Sequence, residues 1–187
     1  MTTKEILLTI TDELTDCFAD LKEEQLSELE EKIRKANKIF VAGAGRSLMV
    51  IRGFAMRLMH MGYRSYVVGE TSTPALEAGD LLIIASGSGN TETLTVIADK
   101  CKRLGGVLAL ITTMPDSHIG KKADCIVHVP AATTKNSANT RRSIQPGANT
   151  FEQSVLLLGD AVIIRMMSGK TIDANNEKLM KLHANLE

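Results

Sequence analysis

A short run of glycine and hydroxyl residues near the middle of the chain has the composition of an anion site. The run, here called the 86–91 loop, consists of Ser86, Gly87, Ser88, Gly89, Asn90 and Thr91. Glycine lets a ligand approach the backbone, hydroxyl groups donate hydrogen bonds, and a helix beginning here would add free N–H groups and its positive dipole end. We therefore predict that the loop binds a phosphate group. The alternative is a turn in which Asn90 or Thr91 only caps the helix, but four small or hydroxyl residues exceed what capping requires.

A second glycine-containing loop, residues 43–47 (Gly-Ala-Gly-Arg-Ser), follows the first predicted strand. Ser47 would add a hydroxyl group and Arg46 a positive charge to the same phosphate, and Gly45 is expected to contact the substrate. For Arg46 a plain surface charge is the alternative. A nicotinamide dinucleotide would need a third glycine where Leu48 stands, and the full P-loop pattern G-x-x-x-x-G-K-[S/T] does not occur. A small phosphorylated metabolite is therefore the favoured ligand.

One acidic residue and four histidines are candidates for acid–base chemistry. Glu152 falls in the first turn of a predicted apolar helix, where it is either a favourable partner of the helix dipole or a general base in a cleft. His60 ends a methionine-rich helical stretch and suits packing as well as function, while His183, near the chain end, has the position of a solvated side chain. His118 and His128 are expected to be structural or solvated. Since no His, Cys, Asp or Glu pair has metal-ligand spacing, no metal site is predicted.

Alternating helical and strand-like segments indicate an α/β fold that positions these residues. Five short apolar runs are predicted strands, at residues 38–42, 64–68, 80–85, 107–111 and 125–129. Helical spacing predicts helices over residues 4–20, around 26–33, and over 47–61, 91–104, 151–167 and 173–185. A long polar loop is expected from Pro130 to about Thr150. The alternation favours a three-layer αβα sandwich with a five-stranded parallel sheet, in which ligands bind beyond the carboxyl ends of the strands.

Length and composition limit the class of protein. The 187 residues, 44% of them hydrophobic, fit one domain with N-terminal helices (1–36), a core (37–167) and a C-terminal helical tail (168–187). The formal net charge is zero, so no nucleic acid or membrane partner is expected. Neither a signal peptide nor a membrane-spanning run is recognisable. The widely spaced cysteines, Cys17, Cys101 and Cys125, favour buried thiols in a reducing compartment, so the expected location is the cytoplasm.

These segments resemble the sugar isomerase (SIS) family, which has a flavodoxin-like fold. The resemblance is carried by residues 43–47, by the 86–91 loop and by residues 145–153, which contain Phe151-Glu152. Further similarity lies in residues 53–58, in residues 68–75 and in the final His-Ala-Asn-Leu-Glu. The 86–91 loop alone would indicate only the family. Together the segments, which extend over the whole chain, are most similar to the 6-phospho-3-hexuloisomerase branch.

The resemblance implies an isomerase that interconverts arabino-hex-3-ulose 6-phosphate and fructose 6-phosphate, in the ribulose monophosphate pathway of formaldehyde fixation. It also implies a homo-oligomer, a tetramer, with sites near subunit borders. Moving a carbonyl from C3 to C2 through an enediol needs a base and no redox cofactor, so no cofactor is expected. We assign Glu152 as the base, His183 as an assisting acid from its own or a neighbouring subunit, and Arg46 or a histidine as the electrophile. His60 is the reserve for the acid role and is also an expected substrate contact.

Two alternatives remain open at this point. A non-catalytic sugar-phosphate sensor of the same fold would usually carry a DNA-binding domain, which the weakly basic helices before residue 38 do not suggest. An isomerase of another phosphosugar, such as arabinose 5-phosphate, would use the same loops. The substitution Glu152→Gln separates the first alternative from an isomerase, because it would spare binding in both and abolish turnover only in the enzyme.

Overall fold

A parallel five-stranded sheet forms the centre of the computed structural model, which describes residues 1–132, 142–147, 149–167 and 172–186. Its strands are β1 (Ile39–Gly43), β2 (Ser65–Val67), β3 (Leu81–Ala85), β4 (Val107–Thr112) and β5 (Cys125–His128). They lie in the order β2-β1-β3-β4-β5, and each neighbouring pair is parallel. The strands are rich in buried Ile, Leu, Val and Ala, which is typical of a sheet covered on both faces. The predicted parallel sheet is confirmed.

Helices cover both faces of this sheet. They are α1 (Thr3–Ala19), α2 (Glu23–Lys35), α3 (Arg46–His60), α4 (Glu92–Arg103), α5 (Asn149–Met166) and α6 (Ile172–Met180), with a 3₁₀ turn at Gly120–Lys122. Successive strand side chains point to opposite faces. Val41 and Ile83 therefore share a core with α2, α3 and α5, whereas Phe40 and Leu82 share one with α4. The three-layer αβα sandwich is confirmed.

The N-terminal helices belong to the same core as the sheet. Cys17 of α1 is buried with Leu29 and Ile33 of α2, in the cluster that also holds Phe151 and Val155 of α5. Burying apolar side chains contributes about 1.5–3 kcal/mol each, so these contacts fix both helices against α5. As a result, α1 lies beside the helix that carries Glu152.

The connection between β2 and β3, residues 68–80, crosses the α4 face without forming a helix. Near its C-terminal end, the connection is held by a network of polar groups around Lys38 and Asp80. Lys38 Nζ donates to the Ala75 carbonyl at 2.9 Å and to Glu77 at 2.8 Å, and lies 3.2 Å from Asp80, which is almost fully buried. Asp80 also accepts from the backbone N–H groups of Lys38 and Glu77. In place of a packed helix, this network holds the end of the connection just before β3 begins.

The structure shifts several predicted element boundaries. β2, β3 and β5 are shorter than predicted, β1 is shifted by one residue, β4 is one residue longer, and α5 begins at Asn149 instead of residue 151. The last helix ends at Met180 and not at residue 185, so His183 lies beyond it. Parts of the predicted polar loop (133–141 and 148) and of the tail (168–171 and 187) lie outside the described residues. Across the described ranges no helix is long and apolar enough to cross a membrane.

Candidate active site

The two predicted ligand loops meet at the carboxyl ends of the neighbouring strands β1 and β3. Gly43 at the end of β1 pairs with Ala85 at the end of β3, so the loops that follow these strands are neighbours. Both contribute to a cavity of about 480 Å³, a volume common for small-molecule sites. Its wall includes Gly45, Ser47, Ser86, Gly87, Ser88, Thr91, Thr113, Gly147 and Glu152. The structure thus brings most of the predicted site residues together.

The 86–91 loop is held from behind by β4 and the segment after it. The Gly87 carbonyl accepts from Thr112 Oγ1 at 3.1 Å, from Thr113 Oγ1 at 2.8 Å and from the Thr113 N–H at 3.1 Å. Asn90 Oδ1 accepts from the His118 N–H at 2.8 Å. Gly89 and Asn90 are absent from the cavity wall and instead support the loop. These contacts fix the shape of the loop in the absence of a ligand.

The capping alternative for this loop is not what the structure shows. Thr91 is the N-cap residue of α4, but its side chain makes no capping hydrogen bond. Thr91 lines the cavity together with Ser86 and Ser88. The hydroxyl group is therefore available to a bound ligand, as the anion-site prediction requires.

The first loop brings a second helix N-terminus to the cavity. Gly45 is the N-cap of α3, with φ 56° and ψ −132°, a conformation that only glycine adopts without strain. No side chain caps α3, and its first turn carries no acidic residue. The N-termini of α3 and α4, with their positive dipole ends, therefore both lie at the cavity. That arrangement favours an anion such as phosphate.

Glu152 lies in the cavity wall and forms an ion pair with Arg46. The Arg46 Nε group donates to Glu152 Oε2 across the cavity edge, joining the first turn of α3 to the first turn of α5. The Glu152 side chain is 12% exposed and that of Arg46 58% exposed, so the carboxylate is nearly enclosed while the guanidinium faces solvent. Arg46 is thus not an isolated surface charge. An enclosed carboxylate facing an anion site is suited to take a proton from a bound ligand.

The structure does not bring His60 and His183 to this cavity within one chain. Their rings stack on each other with centroids 5.2 Å apart. His60 is the last residue of α3 and Arg46 the first, so the stacked pair lies at the opposite end of that helix from the cavity. Burial, with the charges of Arg57 and His183, lowers the pKa of His60.

Thr113 and Gly147 are among the cavity residues that the sequence interpretation did not assign to the site. Thr113 directly follows β4, and Gly147 lies in the segment before α5. The rule that ligands bind at the carboxyl ends of parallel strands pointed to Thr113 as much as to the other loops. Gly147 has a positive φ, which favours glycine where the chain turns into the site. Among the described residues, no group of three or more His, Cys, Asp or Glu side chains could hold a metal.

Comparison with known proteins shows the family. The SIS domain model matches residues 32–151. The chain is 44% identical to the 3-hexulose-6-phosphate isomerase of Bacillus subtilis (strain 168) over 187 residues, which is 100% of both chains. It is 41% identical to the enzyme of that name from Mycobacterium gastri, covering 95% of this chain and 88% of the relative.

A solved structure agrees in fold over the same extent. The crystal structure of a Methanococcus jannaschii protein, for which a molecular function of 3-hexulose-6-phosphate isomerase has been inferred, superposes with a TM-score of 0.81 at 34% identity. The match covers 98% of this chain and 99% of the other. Together with the two glycine-containing loops and the enclosed carboxylate, these similarities show that the chain belongs to the SIS domain family of sugar-phosphate isomerases.

Proposed function

We propose that this protein interconverts arabino-hex-3-ulose 6-phosphate and fructose 6-phosphate in the ribulose monophosphate pathway. The observation that carries the proposal is the enclosed Glu152 carboxylate, which shares a cavity with an anion site built from two helix N-termini. Relatives named 3-hexulose-6-phosphate isomerase, matched over most of their length, support the same substrate.

In this proposal each side of the cavity has its own task. The 86–91 loop and Ser47 bind the phosphate at C6, which sets the distance of the other carbons from the opposite wall. Glu152 takes the proton from C2 to form the enediol and returns it to C3, while the hydroxyl proton at C2 is transferred to the oxygen at C3. Arg46 holds the carboxylate and faces solvent beside it, where it can stabilise the charge that develops on the carbonyl oxygen.

The substitution Glu152→Gln tests this assignment. In a coupled assay that forms the hexulose phosphate from formaldehyde and ribulose 5-phosphate, the variant should lose fructose 6-phosphate formation by at least about 10³-fold, since the base is removed. Calorimetric binding of fructose 6-phosphate should stay within a few-fold of wild type, because the 86–91 loop is unchanged. The matched control is Asp160→Asn, which alters an exposed carboxylate two turns along α5.

Two outcomes would contradict the proposal. If the folded wild-type protein binds fructose 6-phosphate without turnover of any phosphosugar, the protein is a sensor. If arabinose 5-phosphate is turned over with a higher kcat/KM than the hexulose phosphate, the family is right and the substrate is wrong.

An oligomer is part of this proposal. α3 and α5 pack closely, and the position a Cβ of Gly53 would take is 3.8 Å from Leu156. Their outer surfaces expose a group of large apolar side chains, namely Met49, Met56, Met59, Leu156 and Ile164. Monomers rarely expose contiguous apolar patches, so a second copy of the chain is the proposed cover. We propose a tetramer in which His183 serves a neighbouring site.

The cysteines bear on the proposed location. Cys17, Cys101 and Cys125 are all buried thiols. Burial raises the pKa of Cys101 to about 11 and that of Cys125 to about 12, so both are neutral and slow to oxidise at physiological pH. Such thiols fit a reducing compartment, and the proposed location is the cytoplasm.

A further inference from the structure

A carboxylate on α1 binds the segment that leads into the active-site helix. Glu13 accepts from the Ile144 N–H at 2.8 Å, from Ser143 Oγ at 2.7 Å and from Gln145 Nε2 at 3.1 Å. Both carboxylate oxygens are used. These contacts join segments that are distant in the chain, and all three donors lie in residues 143–147, here called the strap.

The strap connects Glu13 to the candidate cavity. Within it, the Gln145 N–H donates to Ser143 Oγ at 2.9 Å, and Gln145 Nε2 donates to Thr150 Oγ1 at 3.3 Å. At its far end Gly147 lines the cavity together with residues of the 86–91 loop. Thr150 is buried in the first turn of α5, two residues before Glu152. The position of the strap therefore affects the position of the first turn of α5, which carries Glu152.

Glu13 is itself held by a rigid element. One turn further along α1, Cys17 is buried, and its Sγ lies 3.6 Å from Ser154 Oγ of α5. Ser154 Oγ in turn donates to the Thr150 carbonyl at 2.7 Å. α1 thus contacts the N-terminal part of α5 at two levels, directly at Ser154 through Cys17 and indirectly at Thr150 through Glu13 and the strap. Burial tends to raise the pKa of Glu13, but the hydrogen bonds from Ser143, Ile144 and Gln145 outweigh it and lower the pKa, so the carboxylate is ionised at neutral pH.

We propose that Glu13 is a positioning residue for the reaction, which holds the strap so that Glu152 and Gly147 face the bound sugar phosphate. The kinetic part of this inference rests on the proposed function, since it needs an isomerase to measure. The structural part, that Glu13 orders the strap, stands without it.

The kinetic test compares Glu13→Ala with Asp12→Asn, which removes an exposed charge from the neighbouring position on α1. Misplacing a reacting group by about 1 Å costs up to about 10²-fold, so Glu13→Ala should lower kcat about 10- to 100-fold. KM should change less than about two-fold, because the 86–91 loop that binds the phosphate is held by β4 and not by the strap. Glu13→Gln, which keeps one acceptor oxygen, should recover part of the lost kcat. If Glu13 had a purely structural role, Glu13→Ala would lower the active fraction and the unfolding midpoint. The kcat values of the active protein would then not fall in the order wild type, Glu13→Gln, Glu13→Ala.

A second measurement is independent of activity. The Ile144 amide should exchange with deuterium faster in Glu13→Ala than in wild type, while exchange in Asp12→Asn should match wild type. If Glu13→Ala folds poorly, Ser143→Ala removes a strap partner instead and should give the same direction of change in kcat and exchange.

Unchanged exchange and a kcat within two-fold of the Asp12→Asn control would overturn the inference. A wild-type protein without isomerase activity would overturn the proposed function instead, and the exchange comparison would still decide whether Glu13 orders the strap.

Discussion

At the scale of single residues, the candidate site depends on glycines placed where another side chain would collide. Gly89 has φ +59°, and a Cβ there would lie 2.0 Å from Ser117 Oγ. Gly89 lines no part of the cavity, yet its carbonyl accepts from the Ile119 N–H and its N–H donates to Ser86. The residue therefore sets the shape of the loop from outside the cavity wall.

The substitution Gly89→Ala should separate loop shape from general strain. The added methyl group has to displace Ser117 or move the loop, so KM for the sugar phosphate should rise at least about ten-fold, which corresponds to about 1.4 kcal/mol of binding. Gly62→Ala is the matched control, because Gly62 also has a positive φ (+92°) but no heavy atom within 4 Å of its Cβ position. The positive φ should cost both variants about 1 kcal/mol of stability in urea unfolding, and Gly89→Ala should lose more because its methyl group overlaps Ser117. Only Gly89→Ala should bind the phosphosugar weakly. Equal KM values in the two variants would contradict this account of the loop.

At the scale of elements, the helix-free connection between β2 and β3 is the exception in an otherwise regular fold. Every other pair of sequential strands is joined through a helix or, between β4 and β5, a short helical turn. In residues 68–80, Val68 and Leu76 pack against the core on the α4 face, and the end of the connection is held by polar contacts among Lys38, Asp80 and nearby backbone groups. The stability of this end should therefore respond strongly to the loss of a buried charge.

The substitution Asp80→Ala should lower the free energy of unfolding by about 3 kcal/mol, because it leaves the Lys38 ammonium group buried with one fewer partner. Glu77→Ala removes the other carboxylate of Lys38, but that side chain is 73% exposed, so the loss should be below about 1 kcal/mol. Urea titrations of both variants measure the difference. Similar losses would mean that burial does not govern this network.

Most of the elements could be predicted from local sequence, and the contacts between distant segments could not. β3 is an unbroken apolar run because both of its faces are buried, so it is visible without any partner. The 86–91 loop is recognisable because its residue types are unusual for a plain turn. The pairing of Glu13 with Ser143 leaves no such sign, since a Glu on an amphipathic helix has the same appearance whether it binds solvent or a distant segment. The contact between His183 and His60 is likewise a product of the folded chain.

At the scale of the whole molecule, the proposed acid role of His183 depends on the proposed assembly. In its own chain His183 stacks on His60, at the opposite end of α3 from Arg46, so it cannot protonate a ligand held beside Glu152 of that chain. An acid role for His183 therefore requires a neighbouring subunit. The exposed apolar face of α3 and α5 provides a surface on which such a neighbour can pack.

Subunit mixing tests this arrangement directly. Glu152→Gln and His183→Ala should each have low kcat as pure oligomers. Co-refolded at equal amounts, they should recover up to about a quarter of wild-type activity, because in a closed oligomer some borders pair an intact Glu152 from one chain with an intact His183 from the other.

A mixture of Glu152→Gln with wild-type chains gives the matched control for dilution. If site residues all came from one chain, every subunit in the first mixture would carry a defect and no activity would return. Full activity of pure His183→Ala would instead remove His183 from the mechanism and leave Glu152 with Arg46 as the reacting pair.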